Sequence, residues 1–381
     1  MDRNHYDADH LAFGEAFRAF ADKAIVPNYL EWERAGLTPR EVFLEAGKSG
    51  FLGMAVPEQY GGGGVDDFRF NQVLGEQVAA AGITGSGLGM TLHNDICLPY
   101  FLTICTEEQK ERWLPGIVTG ELITAIAMTE PGAGSDLSGI RTSARRDGDD
   151  YVVNGSKTFI TNGINADLVV TAVRTGDDKH KGITLMVLER GMPGFERGRN
   201  LDKLGLHSQD TAELSFSDVR VPAANLLGQE GEGFTYLTDK LPQERLSIAV
   251  AAVAEARAAF EETVQYVKDR KAFGAPISSF QNTKFALAEM ITEIDVAQAF
   301  VDRCVDRLNE KKLSTADASK AKWWSTEMQA RVIDRCLQLH GGYGYMSEYS
   351  ISRRYADARI TRIYGGTTEI MKSVVSKSLG L

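Results

Sequence analysis

The sequence predicts a mainly α-helical protein with a small β domain set in its middle. Two features carry this expectation. The hydrophobic period runs helical, then extended, then helical again along the chain, and glycine and proline punctuate the changes. At 381 residues the chain is also too long for one ordinary core, so three packed units are expected, at 1–121, 122–230 and 231–381.

In the first unit, Phe13, Phe17 and Phe20, then Val42, Phe43 and Ala46, then Val73, Leu74 and Val78 recur at the spacing of amphipathic helices. Pro57 and the run Gly61 to Gly64 interrupt them with a turn or short exposed loop. In the second unit, Tyr151 to Val153, Lys157 to Ile160, Leu168 to Val173 and Ile183 to Leu188 read as strands of a barrel-like β domain. Asn154-Gly155 reads as a hairpin turn between the first two, since both residues tolerate positive φ. In the third unit, Leu246, Ala249, Val253, Phe260, Val264 and Val267 form one stripe that ends before Gly274 and Pro276. Ile291, Ile294, Val301, Cys304 and Leu308 form a second. A third helix starts at Ser314, whose hydroxyl can cap the N–H of Asp317, and stops at Gly341-Gly342. Long helices of this kind predict a C-terminal four-helix bundle.

A formal net charge of -10 opposes association with nucleic acid, although a local basic pocket for one phosphorylated ligand is compatible with it. No apolar run is long enough for a membrane span and no basic leader precedes an apolar core, so a cytoplasmic location is expected. Cys97, Cys105, Cys304 and Cys336 are scattered without metal-ligand spacing. They read as buried free thiols, and no metal site is expected.

The segment Met128-Thr129-Glu130-Pro131-Gly132-Ala133-Gly134-Ser135-Asp136 follows an apolar strand, and its glycines let backbone approach a flat or phosphorylated ligand. It lacks the Gly-x-Gly-x-x-Gly spacing of a dinucleotide fold and the lysine of a P-loop. Taken alone, such a stretch is more often an ordinary turn.

Further segments change that reading. Lys157-Thr158-Phe159-Ile160-Thr161-Asn162-Gly163, Asp269-Arg270-Lys271-Ala272-Phe273-Gly274, Gln338-Leu339-His340-Gly341-Gly342 and Tyr364-Gly365-Gly366-Thr367-Thr368-Glu369 follow in order. Together with Met128 to Asp136 they resemble the acyl-CoA dehydrogenase family over nearly the whole chain. The resemblance implies that FAD is the cofactor. Met128, Thr129, Phe159, Ile160 and Thr161 would lie along the flavin, and Ser135 near its pyrophosphate and the substrate. Arg270 and Phe273 would meet the FAD of a neighbouring subunit, while Gln281, Gln338, Gly341 and Gly342 would hold the adenosine half. Thr367 and Glu369 would follow the substrate loop on the cofactor side. An arginine fork suits pyrophosphate, and hydroxyls suit the polar edges of a flavin.

Many members of the family carry a glutamate after the tyrosine of this loop, as the base that removes the α-proton. This chain has Gly365 there, and glycine accepts no proton. The run Leu241-Pro242-Gln243-Glu244-Arg245-Leu246 is similar to the helix start on which the long-chain and isovaleryl subgroups place their base, which makes Glu244 the candidate. That run, with Lys203 to Leu214, is most similar to the long-chain subgroup. Gln243, Arg245, Tyr364, Gly365 and Gly366 are the further substrate-side candidates, with Arg245 a positive contact near the CoA end.

The resemblance thus implies α,β-dehydrogenation of a medium, long or branched acyl-CoA to the trans-2-enoyl-CoA. Electrons would pass to an electron-transfer flavoprotein, and the assembly would be a homotetramer. Burial beside substrate would raise the Glu244 carboxyl toward the range of a useful base, and an N–H of Gly365 or Gly366 would polarise the thioester carbonyl. Two other readings stay open: a non-catalytic subunit of a hetero-oligomer, favoured by Gly365 and opposed by Glu244, and an acyl-CoA oxidase on the same fold.

Overall fold

The computed structural model describes residues 3–381. Its first part is helical: α1 (Ala8–Ala24), α2 (Tyr29–Ala35), α3 (Arg40–Lys48), α4 (Phe68–Ala81), α5 (Thr84–Thr91), α6 (Leu98–Ile104) and α7 (Glu107–Thr119). The chain enters α1 through a capping box at Asp7 and α7 through one at Thr106, each satisfying N–H groups that a helix start leaves free. Between α5 and α6 the helix does not break. It widens into a π-helical stretch, Leu92–Cys97, a distortion often associated with functional sites. Gly61 to Gly64 form part of the turn after a short 3-10 stretch at Glu58–Tyr60, as the glycine run implies.

One eight-stranded sheet forms the middle: β1 (Thr124–Ala127), β2 (Ser143–Asp147), β3 (Asp150–Thr161), β4 (Leu168–Arg174), β5 (Ile183–Glu189), β6 (Phe195–Asn200), β7 (Thr211–Pro222) and β8 (Leu226–Leu227). The order is β6-β7-β3-β2-β4-β5-β8, with β1 parallel to β4. Among the described residues β6 and β8 stay unpaired with each other, so the barrel-like expectation is met by a sheet that does not close.

Asn154-Gly155 is not a hairpin turn: β3 runs through it as one strand. Asn154 instead exchanges hydrogen bonds with Asp218 on β7, which sits at positive φ where the register of that strand slips. The hairpin lies earlier, where Gly148 at φ 66 helps turn β2 into β3.

The last part contains α8 (Gly233–Asp269), a two-stranded ribbon of β9 (Lys271–Ala272) and β10 (Ala275–Pro276), α9 (Gln281–Asn309), α10 (Thr315–His340), α11 (Ser350–Ala358) and α12 (Thr368–Ser378). Three long helices and two shorter ones make up this helical C-terminal part. Ser314 caps α10 through the N–H of Asp317, as expected. The expected helix start at Leu241–Leu246 lies inside α8, which begins at Gly233. Pro242 tolerates that position although it removes one helical hydrogen bond, so a proline that suits a first turn is here interior.

A core cluster joins the three parts: Tyr100 and Trp113 from the N-terminal helices, Leu168 and Leu185 from the sheet, and Leu237 from α8. That shared core fixes α6 against α8.

Candidate active site

Glu244 lies three turns into α8 and is 4% exposed. Its Oε1 accepts a hydrogen bond of 2.9 Å from the hydroxyl of Tyr100 on α6. Burial pushes its carboxyl up to about 7, against the lowering effect of the Tyr100 hydroxyl and of Arg245 and Lys240. A carboxylate poised there can take a proton near neutral pH and hold it. Gln243 faces elsewhere, its amide donating to the backbone oxygen of Asp95 in the π-helical stretch at 2.8 Å.

The expected substrate loop packs against the same helix. Ile248, one turn beyond Glu244, touches Gly365, and Ala251 and Glu255 continue that stripe along a narrow cavity also lined by Leu88, Thr91 and Tyr364. Gly365 and Gly366 have φ of 63° and 102°, a region that glycine enters without strain. Two buried cations hold this loop: Arg245 Nε points at the oxygen of Gly365 at 3.5 Å, and Lys322 Nζ donates to the oxygen of Gly366 at 2.5 Å. Arg245 also reaches Ser319 on α10. The residue is 5% exposed, and its guanidinium is directed at the loop and α10. Burial and the neighbouring Arg245 pull the Lys322 ammonium down to about 8.

The expected flavin segments meet at the sheet. A bulge in β3 at Thr158-Phe159 interrupts its pairing with β7, and Thr158 N–H donates to the oxygen of Thr129 instead. Phe159 is thrown outward, 67% exposed and at φ 60, a backbone state that a bulky residue holds only under constraint. Thr161 and Thr129 are part-exposed beside it in sequence register, while Ile160 is a core residue. Ile160 therefore offers a ligand its backbone rather than its side chain.

Lys157, fully buried, donates to the oxygen of Met128 at 3.1 Å and to Glu130 Oε1 at 2.8 Å. The Glu130 carboxylate in turn accepts the N–H groups of Arg141 and Thr142. This pair ties the Met128–Asp136 turn to β3. Gly132 has open space around it, Gly134 nearly so, and Ser135 is exposed.

Arg270, Gln338, Gly341 and Gly342 come together in a groove of about 500 Å³ with Tyr266, His340 and Tyr343. Arg270 stacks over the Tyr343 ring at 5.2 Å, and the Tyr266 ring lies against that of His340 at 4.1 Å. Phe273 is 98% exposed, and Gln281 opens α9 next to Phe280, whose ring meets Phe273 edge-on. No residue of the sheet lines this groove. Thr367 caps α12 by accepting from Ile370 N–H, and Glu369 lies exposed in the first turn of that helix. An exposed arginine, open glycines and stacking aromatics fit a dinucleotide cofactor, and the outward Phe159 with its flanking hydroxyls fits an isoalloxazine ring.

Sequence reasoning did not single out Tyr100, Ile248, Lys157 or Lys322. Lys157 carried a signal: it shares the inward parity of Tyr151 and Val153 on β3, so an alternation count places its side chain in the sheet interior. Nothing in the sequence links Tyr100 to a carboxylate 144 positions away.

A buried carboxylate on the helix that packs on a glycine loop, beside a sheet that presents an aromatic ring outward, has the makings of an acid–base site next to a flat cofactor. Three family models match the chain: the N-terminal, middle and C-terminal domains of acyl-CoA dehydrogenase, at residues 7–121, 125–219 and 231–380. The chain is 47% identical to the long-chain specific acyl-CoA dehydrogenase of Sus scrofa mitochondria, over 99% of this chain and 88% of that one. An acyl-CoA dehydrogenase structure from Geobacillus kaustophilus superposes with a TM-score of 0.97 at 51% identity over the whole of both chains. Another, from Bacillus anthracis and complexed with FAD, gives 0.92 at 30% identity, covering 100% of this chain and 69% of that one.

The chain belongs to the acyl-CoA dehydrogenase family. It is an FAD-dependent oxidoreductase whose general reaction is dehydrogenation of an acyl-CoA, as in fatty acid β-oxidation. Among the described residues no helix is long and apolar enough to cross a membrane.

Proposed function

We propose that Glu244 removes the α-proton of a long or branched acyl-CoA to give the trans-2-enoyl-CoA. The observation that carries this reading is the buried Glu244 carboxyl, held near 7 on the face of α8 that packs on the Gly365 loop. Bound FAD supplies the acceptor for the hydride that leaves the β-carbon. Glu244 takes the proton at its free oxygen, and the N–H of Gly365 or Gly366 holds the thioester carbonyl as charge develops on it. Arg245 and Lys322 keep those N–H groups in place by fixing the carbonyls beside them.

The preference for longer or branched chains rests on the α8 stripe beyond Ile248, which continues as small Ala251 along the cavity. The high identity to long-chain enzymes agrees with it. A homotetramer is supported by the exposed Phe273 and by a cofactor-sized groove lined by C-terminal residues alone, as expected where a second chain brings the flavin's other half. The site residues, the division at 1–121, 122–230 and 231–381, and an electron-transfer flavoprotein as acceptor belong to this same reading.

Anaerobic mixing of the FAD-loaded enzyme with acyl-CoAs of graded length and branching tests it through bleaching of the flavin. Fastest bleaching with long or branched thioesters is expected. Bleaching confined to butyryl-CoA would overturn the substrate reading, and rapid reoxidation by oxygen would identify an oxidase instead.

A further inference from the structure

We propose that Tyr100 is the positioning residue of the catalytic base, its hydroxyl holding the Glu244 carboxylate ionised and turned so that one oxygen stays free for the substrate. The inference rests on Glu244 being the base and extends it to a second residue.

The geometry is direct. Tyr100 is fully buried on α6, and its hydroxyl donates to Glu244 Oε1 at 2.9 Å. Among the described residues this is the one hydrogen bond to the carboxylate, and Oε2 makes none without being a sealed orphan. A carboxylate that is buried and singly bonded has one oxygen anchored and one available. The phenol is a suitable anchor because burial and the nearby Glu244 push its own pKa well above the ordinary tyrosine value, so it remains a donor.

Its placement is not incidental. The helix that carries Tyr100 leaves the π-helical stretch Leu92–Cys97, whose wider turn rotates the faces of α6 relative to those of α5. That stretch is itself bolted to α8: Asp95 accepts from Ser247 Oγ at 2.5 Å, and its backbone oxygen accepts from Gln243. The residues on either side of Glu244 thus hold α6 in register with α8. The groups that bear on the carboxylate are Tyr100, the buried Cys97 thiol of the π-helical stretch, and Lys240 and Arg245 on α8 itself. Of these, Tyr100 alone touches it.

Tyr100→Phe removes the hydroxyl and keeps the ring. A hydrogen bond to the charged form favours ionisation, so its loss should raise the pH at which flavin reduction is half-maximal by about one unit. At pH above that limb the rate should fall by about tenfold, since the carboxylate is no longer held in the orientation that leaves one oxygen toward the substrate. Replacing Tyr100 with 3,5-difluorotyrosine keeps shape and strengthens the donor, so the limb should move the opposite way. A packing role alone would lower the rate at every pH without moving the limb.

The experiment is the pH dependence of flavin reduction in stopped flow with the FAD-loaded enzyme and one acyl-CoA, for the parent, both Tyr100 variants and Glu244→Gln. Opposite shifts in the two Tyr100 variants support the inference. Unmoved limbs in both, with Glu244→Gln silent, overturn it and leave the base in place. A Glu244→Gln enzyme that reduces its flavin at the parent rate overturns the base itself. Should Tyr100→Phe not fold, the fluorinated variant alone decides through the direction of its shift.

Discussion

A Cβ added to Gly365 would lie 2.4 Å from Cδ1 of Ile248, and Ile248 stands one turn beyond Glu244 on α8. The loop position at which the family resemblance implies an alternative glutamate therefore opens on the same face of the same helix as Glu244. The obstacle to exchanging them is the end of one flexible side chain, together with a φ of 63° that disfavours a larger residue.

That geometry predicts how a relocated base behaves. Glu244→Gln/Gly365→Glu should regain only a small part of the reductive rate, and adding Ile248→Val or Ile248→Ala should raise the regained part several-fold. Chain-length preference should shift toward shorter substrates as the loop side chain fills space. Stopped-flow reduction with butyryl-CoA and a long-chain thioester measures both effects. A triple variant no faster than the double would show that Ile248 is not the obstacle.

Arg245 predicts a different kinetic signature from a CoA-binding cation. Because its guanidinium holds the Gly365 carbonyl and Ser319, Arg245→Gln should lower kcat by about tenfold or more while changing KM for acyl-CoA little. Steady-state kinetics with a dye acceptor checks this. A raised KM at unchanged kcat would restore the CoA-contact reading.

The Lys157–Glu130 pair should act on stability and FAD retention together. Lys157→Met leaves Glu130 buried beside two N–H donors but without its cation, a change that typically costs about 3–5 kcal/mol. It also frees the Met128 carbonyl that helps fix the flavin turn. Thermal unfolding with and without added FAD should show a lower midpoint in both conditions, and gel filtration should strip cofactor that the parent keeps. A cofactor affinity equal to the parent's would separate this pair from the flavin site.

Arg270→Ala should weaken FAD retention by about 10- to 100-fold, the worth of a charge-assisted contact of about 1.5–3 kcal/mol. Apart from Arg270 the groove is lined by aromatic, aliphatic, glycine and amide residues, so no second arginine or lysine there compensates. Titration of the apoprotein with FAD, followed by flavin fluorescence, gives the value directly. Unchanged affinity would remove Arg270 from the cofactor site.

The rise of the Glu244 carboxyl to about 7 fixes the sign of the pH dependence. A base works when deprotonated, so kcat/KM should climb as pH increases through about 7 and level off above it. A profile already flat from pH 5 upward would mean that a group of ordinary carboxylate pKa, rather than this buried one, takes the proton.

The layout of helix, sheet and helix was legible because each part has a long, uninterrupted hydrophobic period, as in the stripe from Leu246 to Val267. Local turns were less so. Asn154-Gly155 carries the chemistry of a hairpin, yet β7 meets it with a bulge at Asp218 and the strand continues. Pro242 resembles a first-turn residue and sits inside α8, since packing of a long helix outweighs one lost hydrogen bond. The motifs pointed to residues that the fold does bring together at Arg270, Gln338, Gly341 and Gly342. What stayed hidden were partnerships across long sequence separations: Tyr100 with Glu244, Lys322 with Gly366, Gly365 with Ile248. Each depends on how helices register in three dimensions, which no local pattern encodes.

The most direct test of the account is the rate of anaerobic flavin reduction by a long-chain acyl-CoA in Glu244→Gln. Glutamine keeps the shape of the side chain and cannot take the proton, so FAD and substrate should still bind while reduction slows by about 100-fold or more. Reduction at the parent rate would contradict the assignment of Glu244 as the base.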